Sequence, residues 1–169
     1  NNTTTPWEEG IYMKETIITI SREFGSGGHF IGEEVAKRMN IPYYDKDIIF
    51  QIAEKTGYSE SFIQEQSEYA PSKNLFAYAF VGRDRTGSSL SDQVYAAQTQ
   101  VIKDLAQKGS CVIIGRCADY ILKDDPDAYH IFVCGNEAEK IARTQKLFDL
   151  SEKEARNLAQ KAKIEQEKM

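Results

Sequence analysis

The stretch ISREFGSGGHFIG, residues 20–32, restricts the fold more than any other part of the sequence. It follows the run TIITI at 16–20, which is typical of a buried strand, and it precedes a helical pattern with apolar residues at Ile31, Val35 and Met39. Glycines permit positive φ and can turn successive N–H groups toward one point, and the start of a helix adds the positive end of its dipole. We therefore predict a loop that holds an anion; the alternative is a tight turn that only packs a helix on a strand.

The loop departs from the phosphate-loop consensus G-x-x-x-x-G-K-[ST]. When Gly27 is aligned with the second glycine, Arg22 falls at the first glycine, Gly28 at the lysine and His29 at the hydroxyl. The charge that would reach the β- and γ-phosphates and the hydroxyl that would hold Mg²⁺ are thus absent. Arg22, His29 or Lys46 could supply charge from another direction. His29 could also cap the helix or donate one hydrogen bond to a phosphate.

Strand and helix signals alternate along the rest of the chain. The predicted strands are 16–21, 41–45, 111–115 and 128–134. Helices are predicted at 30–39, 46–57, 59–70, 89–109 and after the capping patterns Asn136-x-x-Glu139 and Ser151-x-x-Glu154. Strands separated by helices need crossover connections, which predicts a parallel sheet covered on both faces. The turns at the carboxyl ends of three strands, 22–29, 45–46 and 115–119, should then converge on a ligand.

Composition excludes several classes of protein. The 169 residues fit one domain, and the net charge of −5 argues against a broad surface for nucleic acid. No apolar run approaches the roughly 18 residues of a membrane span, and residues 1–13, which lack the pattern of a signal peptide, are interpreted as a flexible arm or an expression remnant. Neither the two histidines nor the three cysteines (Cys111, Cys117, Cys134) have the spacing of a metal site or a disulfide framework. We predict a cytoplasmic protein with no metal site of its own.

Several segments together resemble the cytidylate kinase-like family, which is related to the P-loop nucleoside monophosphate kinases. The loop has the family form S-R-E-[FY]-G-S-G-G, YYDKDII lies where these kinases have an Asp-centred motif at the monophosphate site, and GRCADYIL lies where they have a Gly-Arg motif. NEAEKIARTQKLFDLSEKEARNLAQKAKIEQEK resembles their lid segment. The resemblance covers roughly residues 14–168, and the motifs occur in the family's order.

The resemblance implies an α/β fold of the three-layer P-loop kinase type over residues 14–169. It implies an acceptor-binding insertion at about 58–88 and a lid at about 137–169, with further C-terminal elements expected after Met169. The implied function is ATP-dependent phosphoryl transfer to a nucleoside monophosphate, CMP or dCMP first, with Mg²⁺ bound to the nucleotide. The implied partners are therefore nucleotides, and neither nucleic acid nor a membrane.

Phosphoryl transfer requires positioning and charge neutralisation more than covalent chemistry. The residues expected to hold the donor phosphates are those of the loop and its flanks: Arg22, Gly25, Ser26, Gly27, Gly28 and His29. Arg116 is expected to grip the acceptor phosphate in bidentate fashion and to act in catalysis; a surface ion pair is its alternative role. Arg143, in the lid, and Lys46 are the other two expected catalytic residues, with exposure to solvent as the alternative for both.

Four further residues are expected to contact the acceptor. Asp45 would orient it, or would serve only as a helix N-cap. Asp119 would fix Arg116 or a ribose hydroxyl. Arg83 and Arg85 would contact the monophosphate, or would only keep an exposed loop soluble.

Two rival functions remain open at this point. Because the loop lacks its lysine and hydroxyl, the chain could be a nucleotide- or anion-binding regulatory protein without transfer activity. The acceptor could also be another small molecule, since a fold does not determine a substrate. Base specificity and oligomeric state cannot be predicted from these residues.

Overall fold

The computed structural model of the chain describes residues 15–66 and 90–166. Strands and helices alternate over these residues as the sequence predicts. Their bounds, in chain order, are β1 Ile17–Arg22, α1 Gly28–Met39, β2 Tyr43–Tyr44, α2 Lys46–Thr56, α3 Glu60–Gln66, α4 Leu90–Ala106, β3 Cys111–Ile114, α5 Ala118–Ile121, β4 Ala128–Val133, α6 Glu137–Phe148 and α7 Glu152–Gln166.

The four strands form one parallel sheet in the order β2-β3-β1-β4. Strand β1 lies inside the sheet, with Ile17 opposite Cys111 of β3 on one side and opposite Ala128 of β4 on the other. Because the strands are parallel, their carboxyl ends lie at the same edge of the sheet. The predicted parallel sheet is confirmed, and the loops that follow β1, β2 and β3 all leave from this edge.

Helices cover both faces of the sheet, which gives the three predicted layers. Side chains of a strand alternate between faces, so Ile17 packs with α2, α3, α4 and α5, whereas Ile18 and Ile20 pack with α1. Helix α1 approaches the sheet closely at Gly32, where an added Cβ would lie 2.5 Å from Cδ1 of Ile114. This close approach fixes the start of α1 near the carboxyl ends of β1 and β2.

The observed elements differ from the predicted ones in a few places. Helix α1 begins at Gly28, two residues before the predicted start, because Gly27 in the left-handed conformation is its N-cap. Helix α5 was not predicted, since four residues are too few to show a helical period. Both predicted caps are confirmed: Asn136 Oδ1 accepts from the N–H of Glu139, and the Ser151 N–H donates to the Glu154 carboxylate.

Some predictions fall on residues that the structure does not describe. These are the flexible arm at 1–13 and most of the acceptor-binding insertion, residues 67–88, which includes Arg83 and Arg85. Within the described ranges, no helix has the length and apolar character required to cross a membrane.

Candidate functional site

The glycine loop and the turn after β3 lie side by side at the carboxyl edge of the sheet, and Arg22 connects them. A Cβ added at Gly28 would lie 2.7 Å from the Cβ of Arg22, and one added at Gly115 would overlap Nη1 of the same side chain. Arg22 therefore runs from the start of α1 to the Gly115-Arg116 turn. The predicted convergence of these two segments is confirmed by this geometry.

The glycine loop has the backbone conformation that an anion site requires. Gly25 and Gly27 have φ of +74° and +88°, values that side chains rarely tolerate. The first N–H groups of α1, at the end of the loop, have no acceptor within the helix. Ser26 is 6% exposed, and its Oγ has no hydrogen-bond partner among the described residues. The N–H of Ser26 donates to the Glu23 carbonyl oxygen at 3.2 Å, so its predicted use as a backbone donor to phosphate does not fit this structure. The Ser26 hydroxyl and the first N–H groups of α1 are donors that fit phosphate oxygens.

Helix α6 lies against the loop, and the guanidinium of its Arg143 contacts the loop backbone. Arg143 Nη1 donates to the carbonyl oxygen of Gly25 at 2.6 Å, and its guanidinium carbon lies 3.1 Å from where a Cβ of Gly27 would be. Lys140 Nζ donates to Glu23 Oε2 at 2.8 Å. The sequence predicted Arg143 at the phosphates only through the resemblance, and it gave no signal for the pair formed by Glu23 and Lys140.

His29 contacts the end of β2 rather than the loop. Its Nδ1 lies 3.0 Å from Asp45 Oδ2 and 2.8 Å from the hydroxyl oxygen of Tyr43, and the His29 side chain is 46% exposed. Asp45 makes no side-chain capping hydrogen bond to α2, so the purely capping role does not apply, and His29 itself is no cap because it lies inside α1. Burial and the Asp45 carboxylate raise the pKa of Tyr43, which keeps its hydroxyl protonated.

The turn that carries Arg116 has an unusual backbone. Gly115, Arg116 and Cys117 have φ of 62°, 58° and 53°, a region that residues other than glycine seldom occupy. Gln98, which is fully buried in α4, supports the turn because its Nε2 donates to the Arg116 carbonyl oxygen at 2.8 Å. Arg116 is 6% exposed, which does not fit the alternative of a surface ion pair. A strained, supported turn at this edge is typical of a functional position.

The structure does not join the remaining predicted residues to this group. Lys46 is exposed at the start of α2, and Asp119 is half-buried in α5. Neither makes a hydrogen bond or ion pair with another described residue. Arg83 and Arg85 lie outside the described residues, so their predicted roles remain predictions.

A cavity of about 570 Å³ opens beside the loop, between the end of β1 and helices α6 and α7. Phe24 and Ile141 provide apolar lining. The charged lining is mixed, because Lys140 and Arg156 form ion pairs with Glu23 and Glu137, and Lys163 adds a third cation. Cavities of this size hold small ligands. The cavity lies next to Gly25, at one end of the glycine loop.

The described residues contain no group of three or more His, Cys, Asp or Glu side chains that could hold a metal ion. The chemistry of the site is compatible with Mg²⁺ that is bound mainly by phosphate oxygens and water, as is usual for nucleotide-bound Mg²⁺.

Comparisons with known proteins identify relatives. The model of the cytidylate kinase-like family matches residues 17–169. A solved structure of an uncharacterised protein from Eubacterium ventriosum is 29% identical over 87% of this chain and 70% of that chain, with a TM-score of 0.61. A shikimate kinase from Bacteroides thetaiotaomicron is 17% identical over 87% of this chain and 76% of that chain, with a TM-score of 0.49. The comparison with curated proteins gave no match.

The family match covers the glycine loop, the Arg116 turn and helices α6 and α7, which are the parts of the structure that form the site. The parallel sheet with helices on both faces is the three-layer P-loop kinase fold that the sequence predicted. The chain belongs to the cytidylate kinase-like family.

Proposed function

We propose that the chain transfers the terminal phosphoryl group of ATP to a nucleoside monophosphate, with CMP and dCMP as the first acceptors to test. The observation that carries this proposal is the contact of the glycine loop and the Arg116 turn at one edge of the sheet. The glycine loop would hold the donor, and the buried Arg116 turn beside it would hold the acceptor. Membership in a kinase-like family supports the reaction class.

The donor would bind along the loop. N–H groups of Gly25, Gly27 and Gly28 would hold its phosphates, and the cavity beside Phe24 would take its base and ribose. The N–H of Ser26 donates to the Glu23 carbonyl oxygen instead. Mg²⁺, bound with the nucleotide, would neutralise phosphate charge. Arg143 would supply further positive charge from α6.

The acceptor would bind on the β2 and β3 side of the loop. Arg116 would bind the phosphate of the acceptor, and Asp45 would orient the acceptor. The further proposed contacts are Asp119, Lys46, Arg83 and Arg85. The choice of cytidine rests on the family resemblance. The proposal implies a cytoplasmic protein, in agreement with the three cysteines, which are free thiols.

The test is ADP formation by the complete protein with Mg²⁺ and ATP, against a panel of nucleoside monophosphates and a control without acceptor. We expect a rate that depends on CMP or dCMP and that falls at least about 100-fold in Arg116→Ala, because a bidentate charged contact is lost. Arg38→Ala is the matched control, since Arg38 is exposed on α1 and pairs with Glu34 one turn earlier on the same helix. Binding of ATP without turnover of any acceptor would instead favour a regulatory nucleotide-binding protein.

A second acceptor class, a small molecule with a hydroxyl group, is favoured by the contact between His29 and Asp45. Nδ1 of His29 lies 3.0 Å from the Asp45 carboxylate and 2.8 Å from the Tyr43 hydroxyl. In the tautomer with a proton on Nδ1, that N–H donates to the carboxylate, which can only accept, and Nε2 is the nitrogen that can accept a proton. A hydroxyl must lose a proton as it attacks phosphorus, whereas a phosphate dianion need not.

The two acceptor classes differ in their dependence on His29. If the acceptor is a hydroxyl, His29→Gln should lower kcat at least about 100-fold, because the group that takes the hydroxyl proton is lost. If the acceptor is a nucleoside monophosphate dianion, the same variant should retain most of its kcat. Sugars, polyols and nucleosides would therefore be included in the acceptor panel.

A further inference from the structure

The glycine loop departs from the consensus at Arg22 and Gly28, and these two residues are in contact. Arg22 stands at the first glycine of the consensus, and Gly28 stands at its lysine. A Cβ added at Gly28 would lie 2.7 Å from the Cβ and 3.2 Å from the Cγ of Arg22. The first carbons of the Arg22 side chain therefore fill the space into which a side chain at residue 28 would project.

The register of the sheet explains this contact. Side chains of a strand alternate between faces, so Arg22 points to the same face as Ile20, which is the face that α1 covers. Val133 of β4 lies opposite Arg22, and its Cβ would be 3.3 Å from a Cβ of Gly28. Gly28 lies within α1 and its φ is not positive, so the close approach of Arg22 and Val133, rather than the backbone conformation, requires a glycine here.

The guanidinium of Arg22 lies at the other end of the site. Its Cζ and Nη2 are 3.3 and 3.7 Å from where a Cβ of Gly115 would be, at the start of the turn that carries Arg116. Burial and Asp45 raise the pKa of Tyr43 in β2, whereas the charge of Arg22 acts on this pKa in the opposite direction. The Arg22 charge is therefore directed toward β3 and β2, which is the proposed acceptor side.

Arg22 is better placed between the two substrates than the other cations near the loop in sequence. Arg22 contacts both Gly28, at the start of α1, and Gly115. His29 contacts the end of β2, and Lys46 is exposed at the start of α2. A guanidinium keeps its charge at all relevant pH values, and its planar set of N–H donors can bind two oxygens of a phosphoryl group.

We propose that Arg22 and Gly28 have exchanged the positions of the cation and the glycine of the consensus loop, and that the Arg22 guanidinium contacts the phosphoryl group in transit between ATP and the acceptor. The bond from the γ-phosphorus to the ADP oxygen breaks and a bond to the acceptor oxygen forms, while Arg22 gives up no proton and stabilises the charge. The inference rests on the proposed function in that ATP is the donor.

The first test measures the contact between the two exchanged positions by thermal unfolding. Gly28→Ala should lower the Tm by at least about 3 °C, because its Cβ overlaps the stem of Arg22. In the Arg22→Gly background the same substitution should lower the Tm less than half as much, since that stem is gone. Equal shifts in the two backgrounds would contradict the exchange.

The second test measures the contact with the phosphoryl group. Calorimetry would compare the binding of Mg²⁺–ADP to the complete protein with and without aluminium fluoride, a planar mimic of a phosphoryl group in transit. Arg22→Met, which keeps the stem and removes the charge, should weaken binding in the presence of aluminium fluoride at least about 10-fold and binding of Mg²⁺–ADP alone less than about 3-fold. Arg38→Met, on the exposed face of α1, should bind both as the wild type does. An equal loss for the two ligands would overturn the assignment of Arg22.

The third test exchanges the two residues back. Arg22→Gly should lower kcat at least about 100-fold, and adding Gly28→Lys should restore at least about 10-fold of that loss, because the lysine then starts from the vacated space. Thermal unfolding checks that both variants are folded. A folded double variant no more active than Arg22→Gly would contradict the exchange.

Binding separates this inference from the proposed function. If aluminium fluoride tightens the binding of Mg²⁺–ADP but no acceptor is phosphorylated, the proposed transfer fails, while the second test still decides the role of Arg22. If aluminium fluoride adds nothing to binding by the wild type, the assignment of Arg22 is wrong. If the wild type does not bind Mg²⁺–ADP at all, both proposals are wrong.

Discussion

Gly25 and Gly57 both adopt a left-handed backbone, with φ of +74° and +75°, but their surroundings differ. A Cβ added at Gly25 would lie 2.9 Å from both the Lys140 carbonyl oxygen and Thr144 Oγ1, whereas one added at Gly57 would meet nothing within 4 Å. Gly57 only ends α2. Gly25 also allows α6 to lie on the loop, so its role includes the position of Arg143.

This difference predicts distinct effects of the same substitution. Gly25→Ala should weaken Mg²⁺–ATP binding more than about 10-fold, because α6 must move away from the loop. Gly57→Ala should leave binding unchanged and should cost about 1–2 kcal/mol of unfolding free energy, which is the usual cost of a left-handed alanine. Calorimetric titration and urea unfolding of both variants measure these quantities. Equal loss of binding in the two variants would contradict the close-approach explanation.

Gln98 shows how one buried amide can support a turn that is distant in sequence. It is fully buried, and its Nε2 is the donor to the Arg116 carbonyl oxygen. Gln98→Met, a change of similar volume, should lower the free energy of unfolding by about 1–3 kcal/mol, because that carbonyl is left without its partner. It should also raise KM for the acceptor more than KM for ATP. Equal effects on both KM values would argue against a specific role in placing Arg116.

At the scale of elements, α6 makes its main contacts with the loop through one stripe of side chains. Lys140, Thr144 and Phe148 are four residues apart, so they share a face, and each contacts the segment 23–25. Two of the three loop partners, Glu23 and Phe24, immediately precede the first loop glycine. The loop and the helix therefore form one structural unit, and a substitution in either should alter the position of the other.

The charge of Glu23 gives this unit a defined pH dependence. The pKa of Glu23 is lowered by Lys140 and Gly135, so its contribution to stability is present above the usual glutamate pKa of about 4.3 and is lost as pH falls through the lower value in the folded state. The wild type should exceed Glu23→Gln in unfolding free energy by a constant amount above about pH 5. That difference should vanish in stronger acid. A difference that grows as pH falls would have the wrong sign for this ion pair.

The elements themselves were largely predictable, because the glycines and apolar periods that mark them are local. Strand β1, the loop and α1 follow from residues 16–39 alone. The α6 stripe was not predictable, because its partners are more than 110 residues away and its members are of three different chemical types. The available signal for Gln98 was its position. It is a polar residue on the apolar face of α4, four residues after Val94 and three before Val101.

At the scale of the whole molecule, a net charge of −5 coexists with a local concentration of cations. Arg22, Arg116 and Arg143 all lie at the carboxyl edge of the sheet, although they are far apart in sequence. The net charge of the chain could therefore not locate this site. The loop position and Arg116 were predicted from motifs, whereas the contact of His29 with Asp45 and the position of Arg143 required the folded chain.

Ligand binding at this edge should stabilise the whole domain. A ligand at about 100 times its Kd adds about 2.7 kcal/mol to the free energy of unfolding, which corresponds to a rise in Tm of about 5–10 °C for a domain of this size. We expect this rise with Mg²⁺–ATP, measured by scanning calorimetry, and a smaller one in Arg143→Met at the same ligand concentration. Adenosine, which lacks phosphates, is the control and should give little change.

The most direct test of the central proposal is the identity of the phosphorylated product. The complete protein would be incubated with Mg²⁺ and ATP and with each acceptor in turn, and the reaction would be followed by phosphorus NMR. The account predicts ADP together with a nucleoside diphosphate from CMP or dCMP, and loss of that product in Arg116→Ala. ATP that stays intact with every acceptor, or a product that forms equally well in Arg116→Ala, would contradict it.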